Sequence, residues 1–101
     1  MDSTIHDSIG VVLANRLALI KSIQASFVLL QMETDLPRRF RRGDMQRELC
    51  KRVGIHFTGL NKRLVNEAME GLGFIQIAID GVRLYRQGKR GREHGYIRRE
   101  Y

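Results

Sequence analysis

The chain has 101 residues, 43% of them hydrophobic and 29% charged, with 18 lysines and arginines against 11 acids and a net charge of +7. That is one domain with a modest core and no room for an enclosed active-site cavity as well, and no run approaches the ~20 apolar residues that a bilayer span needs. Cys50 is the single cysteine. An internal disulfide is therefore excluded, and a free buried thiol fits a reducing cytoplasm. The charge is unevenly placed. From Arg38 onward there are sixteen bases and seven acids, a net +9, whereas residues 1–37 carry −2. A near-neutral segment followed by a strongly basic one implies an assembly half and a polyanion-binding half.

Asp2 and Asp7 stand where a secretory leader would carry lysines, which argues against export. From Thr4 to about Glu33 the spacing is helical, with Ile5, Ile9, Leu13, Leu17 and Ile20 in one stripe that Ile23, Phe27 and Leu30 continue. Either this is one long helix, or two helices break near Lys21–Ala25. The apolar positions from Ile5 to Leu17 have little left to cover in a domain this small. They fold back on their own core or pair with a second copy. Pairing is the favoured expectation, since such surfaces rarely stay exposed.

Asp35-Leu36-Pro37 ends the helix, and Arg38-Arg39-Phe40-Arg41-Arg42 follows. Four arginines around one aromatic repel one another. As a solvated loop they would have no reason to be together, so contact with phosphates is the preferred expectation. Phe40 is expected to point inward from a short edge strand.

The next helix is expected from Asp44, as N-cap, to Val53, with Met45, Leu49, Cys50 and Val53 on one face and Gly54 as the left-handed residue after its end. Thr58 can cap another helix, whose Leu60, Leu64, Ala68 and Leu72 are expected to face the core. Lys62 and Asn66 then project from the opposite, exposed side, with Thr58 and Gly59 at the entrance and Arg63 flanking. These groups suit a major groove, where asparagine can pair with adenine and lysine or arginine with guanine. Glu67 and Glu70, further along, restrict such contact to the first two turns.

The period then changes to two. Phe74–Ile79 and Val82–Arg86 flank Asp80-Gly81, a strong signal for a type I′ hairpin in which Ile79 opposes Val82, Ile77 opposes Leu84 and Ile75 opposes Arg86. The face of Ile75, Ile77, Ile79, Val82 and Leu84 is expected to pack on the helices, with Gln76, Ala78, Arg83 and Tyr85 turned to water. From Gly88 the chain is rich in Arg, Gly and Tyr, which predicts a flexible basic tail suited to nucleic-acid backbones and base stacking.

A helix, a short strand, two helices joined by a tight turn and a hairpin together resemble the winged helix-turn-helix superfamily, over about Phe27 to Gln87. The resemblance implies an α+β winged helix (a three-helix core plus a β-hairpin wing), here with an extra N-terminal helix. Residues 1–24 would be that helix and a dimerisation segment, 25–87 the winged helix-turn-helix domain and 88–101 the tail. The expected function is sequence-preferring binding of double-stranded DNA by a homodimer in the cytoplasm, at the nucleoid. Such a protein would be a small transcriptional regulator or a plasmid or phage partition or replication factor. Thr58, Gly59, Lys62, Arg63 and Asn66 are the expected base contacts. Arg38, Arg39, Arg41, Arg42, Arg47, Arg83, Arg86, Lys89 and Arg90 are the expected backbone contacts. The alternatives are an RNA or single-strand binder led by the tail, and a protein-protein assembly adaptor. His6, His56 and His94 are far apart and Cys50 has no evident histidine partner, so no metal, cofactor, small-molecule ligand or catalytic role is expected.

Overall fold

The computed structural model describes the backbone of residues 2–88 and the side chains of residues 14–88. Among these residues three helices and a three-stranded antiparallel sheet make a small α+β fold. In chain order the elements are α1 (Asp2–Glu33), β1 (Arg39–Arg41), α2 (Arg42–Val53), α3 (Gly59–Gly71), β2 (Phe74–Ile79) and β3 (Val82–Gln87). Among the described residues no helix is long and apolar enough to cross a membrane.

The N-terminal segment is not a helix of its own: α1 runs unbroken through residues 21–25. Only its C-terminal half meets the core, through Ile20, Ile23, Phe27 and Leu30, while Leu17 is 60% exposed. The side chains of Ile5, Ile9 and Leu13 lie outside the described residues, as does the tail with Lys89 and Arg90. Gln24 Nε2 donates to the Ala68 carbonyl at 3.1 Å, which ties α1 to α3 across the core.

Helix α2 begins two residues before the expected start. Its N-cap is Arg41, with extended backbone and no side-chain cap, and Asp44 lies within the first turn. The cause is the sheet. Pairing of Arg41 with Leu84 holds the cap residue extended, so the chain passes from β1 into the helix with no loop between them. Asp44 still opposes the positive end of the helix dipole. The other end is as expected. Gly54 adopts φ 77°, its N–H donates to the Lys51 carbonyl at 3.2 Å, and the Ile55 N–H donates to the Cys50 carbonyl at 2.9 Å. That pair of bonds satisfies carbonyls the helix leaves open.

Thr58 caps α3, its hydroxyl oxygen accepting from the Asn61 N–H at 3.2 Å. The core face is Leu64, Val65, Ala68 and Met69, and Leu60 is 63% exposed, against expectation. A strict i+4 line drifts by about 40° per step on a helix of 3.6 residues per turn. Starting from a buried Ala68, two steps back carry Leu60 off the core.

The hairpin turns at Asp80 (φ 51°) and Gly81 (φ 79°), and its register pairs Ile79 with Val82, Ile77 with Leu84 and Ile75 with Arg86. β3 lies between β1 and β2. The faces, however, are the reverse of those expected. Phe74 and Tyr85 are buried, whereas Ile75, Ile79 and Val82 are 37–39% exposed. By alternation Gln76, Ala78, Arg83 and Tyr85 thus share the side of the sheet turned to the helices, where Phe74 and Tyr85 are the buried residues. The isoleucines lie on the outer side, with Ile77 and Leu84 half-buried.

Aromatic packing accounts for the reversal. Phe27 of α1 meets Phe74 edge-on with centroids 5.1 Å apart, and Phe40 of β1 lies 5.6 Å from Phe74 and 6.1 Å from Tyr85. Each buried ring removes more apolar surface from water than an aliphatic side chain, and edge-on pairs add to that. Only two residues, Leu72 and Gly73, separate α3 from Phe74. The first residue of β2 is therefore delivered straight under the helices, and alternation sets the rest.

Candidate nucleic-acid interface

Four pieces of the chain meet in one open groove: the start of α2 (Arg42, Gly43, Gln46, Arg47), the turn residue Phe57, the first two turns of α3 (Gly59, Lys62, Arg63, Asn66) and Arg83 of β3. The N-terminal ends of α2 and α3 both border it, so two sets of helix-end N–H groups add to the positive field. A methyl group added at Gly43 or Gly59 would meet nothing within 4 Å, which leaves both entrances clear.

Among the described residues five cations line the groove and no carboxylate does. Among the described residues the ion pairs engage Arg16 with Glu67, and Arg52 with Glu33 and Glu48; none reaches a groove cation. Arg52, near the far end of α2, is thus neutralised, and the five in the groove are left to repel one another. Arg42 donates to Gln76 of β2, whose amide in turn donates to Glu70 at 3.0 Å. Arg47 and Lys62 lie over the ring of Phe57, at 4.7 and 4.5 Å from its centroid. Cation–π attraction holds these two positive heads in place without cancelling their charge.

Beneath the cations is a polar network. Asn66 Oδ1 accepts from Gln46 Nε2 at 2.9 Å and from the Tyr85 hydroxyl. Gln46 and Tyr85 are both buried. Burial pushes the Tyr85 phenol well above its ordinary range. Asn66 was expected to be exposed; it is half-buried and locked on one side.

The expected contact residues divide into groups. Gly59, Lys62, Arg63, Asn66, Arg42, Arg47 and Arg83 come together in the groove. Arg83 is there because the hairpin faces are reversed. Thr58 is exposed at the α3 cap, outside the lining. Arg39, Arg41 and Arg86 belong to the outer face of the sheet, opposite Phe40 and Tyr85, by strand alternation. Arg38 precedes β1, its carbonyl accepting from the Gln87 N–H at 3.0 Å. Lys89 and Arg90 lie outside the described residues.

Sequence reasoning missed Phe57, Gln46 and Tyr85. Phe57 carries a signal, being an aromatic in a tight turn that belongs to neither helical stripe. Gln46 sits next to Met45 on the buried edge of α2, a weak signal. Counting apolar positions along the hairpin puts Tyr85 on the water-facing side. Compared with protein-family models, with curated proteins and with solved structures, the chain matches none of them.

Proposed function

We propose that this chain is a winged-helix protein that binds duplex DNA as a homodimer. In this reading the first two turns of α3 enter the major groove, the hairpin of β2 and β3 is the wing, and the groove cations hold phosphates. The observation that carries it is the gathering of Arg42, Arg47, Lys62, Arg63 and Arg83 around the N-terminal half of α3, without a carboxylate among them. Uncompensated cations cost stability through mutual repulsion, and a polyanion offsets that cost. The dimer rests on a second surface. Leu17, Val28, Leu29 and Met32 are exposed on the side of α1 away from the core, a stripe that a second copy would cover. A small transcriptional regulator and a plasmid or phage partition or replication factor are the roles such a dimer would fill.

The test is duplex binding measured by fluorescence anisotropy over a salt series. Affinity should fall steeply with salt, with a log–log slope of about −0.9 per phosphate contacted. Replacing Arg47 and Arg63 together by alanine should make that slope shallower by roughly 1–2 units. The Arg39→Ala, Arg41→Ala pair on the outer sheet face should change it less. A slope unaltered by the groove pair, or single strands bound more tightly than duplex, would overturn the reading.

A further inference from the structure

A side-chain amide facing DNA can offer both a donor and an acceptor, and reading adenine needs both. Its N–H meets adenine N7 while its oxygen accepts from the adenine N6 amino group. Asn66 does not have both to offer. An amide oxygen has two acceptor sites, and here Gln46 Nε2 takes one at 2.9 Å and the Tyr85 hydroxyl the other. The two donors are buried side chains anchored in α2 and β3. Turning the Asn66 amide over would set its NH2 against the Gln46 amino group, with only the Tyr85 hydroxyl oxygen left there to accept from it. Among the described residues Asn66 Nδ2 donates to nothing, and Asn66 borders the groove.

What α3 shows the groove is therefore all donor. Lys62 and Arg63 have no acceptor atoms, and Asn66 has spent its own. The two carboxylates further along the helix are also engaged, Glu67 by Arg16 and Glu70 by Gln76. Guanine presents two acceptors in the major groove, N7 and O6, and no donor, whereas thymine presents a single acceptor, O4, beside its methyl group. Adenine and cytosine each present an amino group that would oppose these N–H groups.

Resting on the duplex-binding reading above, we propose that Tyr85 and Gln46 are positioning residues that set base preference. By occupying the acceptor of Asn66 they commit α3 to guanine and against adenine at the position this amide reads. The protein would then select a guanine-bearing step through a network that itself never touches the DNA.

The test is selection of sites from a random duplex pool by wild type, Asn66→Ala and Tyr85→Phe, with folding checked by circular dichroism. The expected wild-type motif holds a guanine whose enrichment vanishes in Asn66→Ala. Tyr85→Phe keeps the ring and removes only the hydroxyl. It should free one acceptor site and narrow the guanine-over-adenine preference there by about tenfold, within the range one bidentate contact spans. A loss of stability alone would leave the motif unchanged, so the readout separates positioning from support. A second measurement needs no variant. Replacing that guanine by 7-deazaguanine, which lacks N7, should weaken wild type several-fold and leave Asn66→Ala unaffected. Adenine at the Asn66-dependent position, or a Tyr85→Phe motif identical to wild type, overturns this inference while duplex binding stands. No enriched motif for wild type would overturn base readout by α3 and this inference with it.

Discussion

At the residue scale, Asn66 carries two duties that pull in different directions. It borders the groove, and it is also the shared acceptor for two buried donors, Gln46 and the Tyr85 hydroxyl. Truncating it strands both. A buried donor left without a partner costs about 1–3 kcal/mol, whereas an exposed cation on the same helix costs little. Asn66→Ala should therefore lower the unfolding free energy by about 1–3 kcal/mol in urea titrations, while Arg63→Ala should move it by less than about 0.5 kcal/mol. Equal and small losses would show that the network contributes nothing to stability. The asparagine was legible as a groove residue from its spacing to Lys62. Its partners were not, because Gln46 is 20 positions away along the chain.

At the scale of elements, the sheet decides which surfaces are available. Five aliphatic residues on one side of the hairpin outnumber the apolar residues on the other, yet the two hairpin-strand residues that are buried, Phe74 and Tyr85, are on that other side. Counting apolar positions weights an isoleucine and a phenylalanine alike, whereas burial follows area and the fit to Phe27 and Phe40. Two substitutions separate the faces. Phe74→Ala should cost about 3–5 kcal/mol, as expected for emptying a packed aromatic site. Ile79→Thr, on the half-exposed outer face, should cost less than about 1 kcal/mol. Similar losses in thermal or urea unfolding would contradict the reversal. The same reversal turns Arg83 towards α3 and leaves Arg39, Arg41 and Arg86 beside the outer isoleucines.

For the whole molecule, α1 carries a surface that the fold of one copy does not use. Its C-terminal half is built into the core, and its far side offers Leu17 at 60% and Met32 at 78% exposure. Since neither side chain supports the fold of one copy, replacing both by glutamate should leave a folded protein. If the stripe is the seam, that variant should sediment as a monomer where the unmodified chain sediments as a dimer, and its DNA affinity should fall because two half-sites are no longer held together. An unmodified chain that stays monomeric at tens of micromolar overturns the seam. The side chains of Ile5, Ile9 and Leu13, expected to form a seam with Leu17, lie outside the described residues.

The sequence by itself determined where most elements begin and end and how the hairpin is registered. Those features rest on chemistry acting over a few residues: the Thr58 hydroxyl on the Asn61 N–H, the left-handed Gly54, and the positive φ of Asp80 and Gly81. It also placed most of the groove cations, because Lys62, Arg63 and Arg47 follow from helical spacing alone. Tertiary structure decided which side of the hairpin carries the buried residues, where α2 starts and which partners occupy the Asn66 oxygen. Each of these depends on competition between groups far apart in the chain, in which ring area, a short α3–β2 link and the hydrogen-bonding needs of buried side chains outweigh the local pattern.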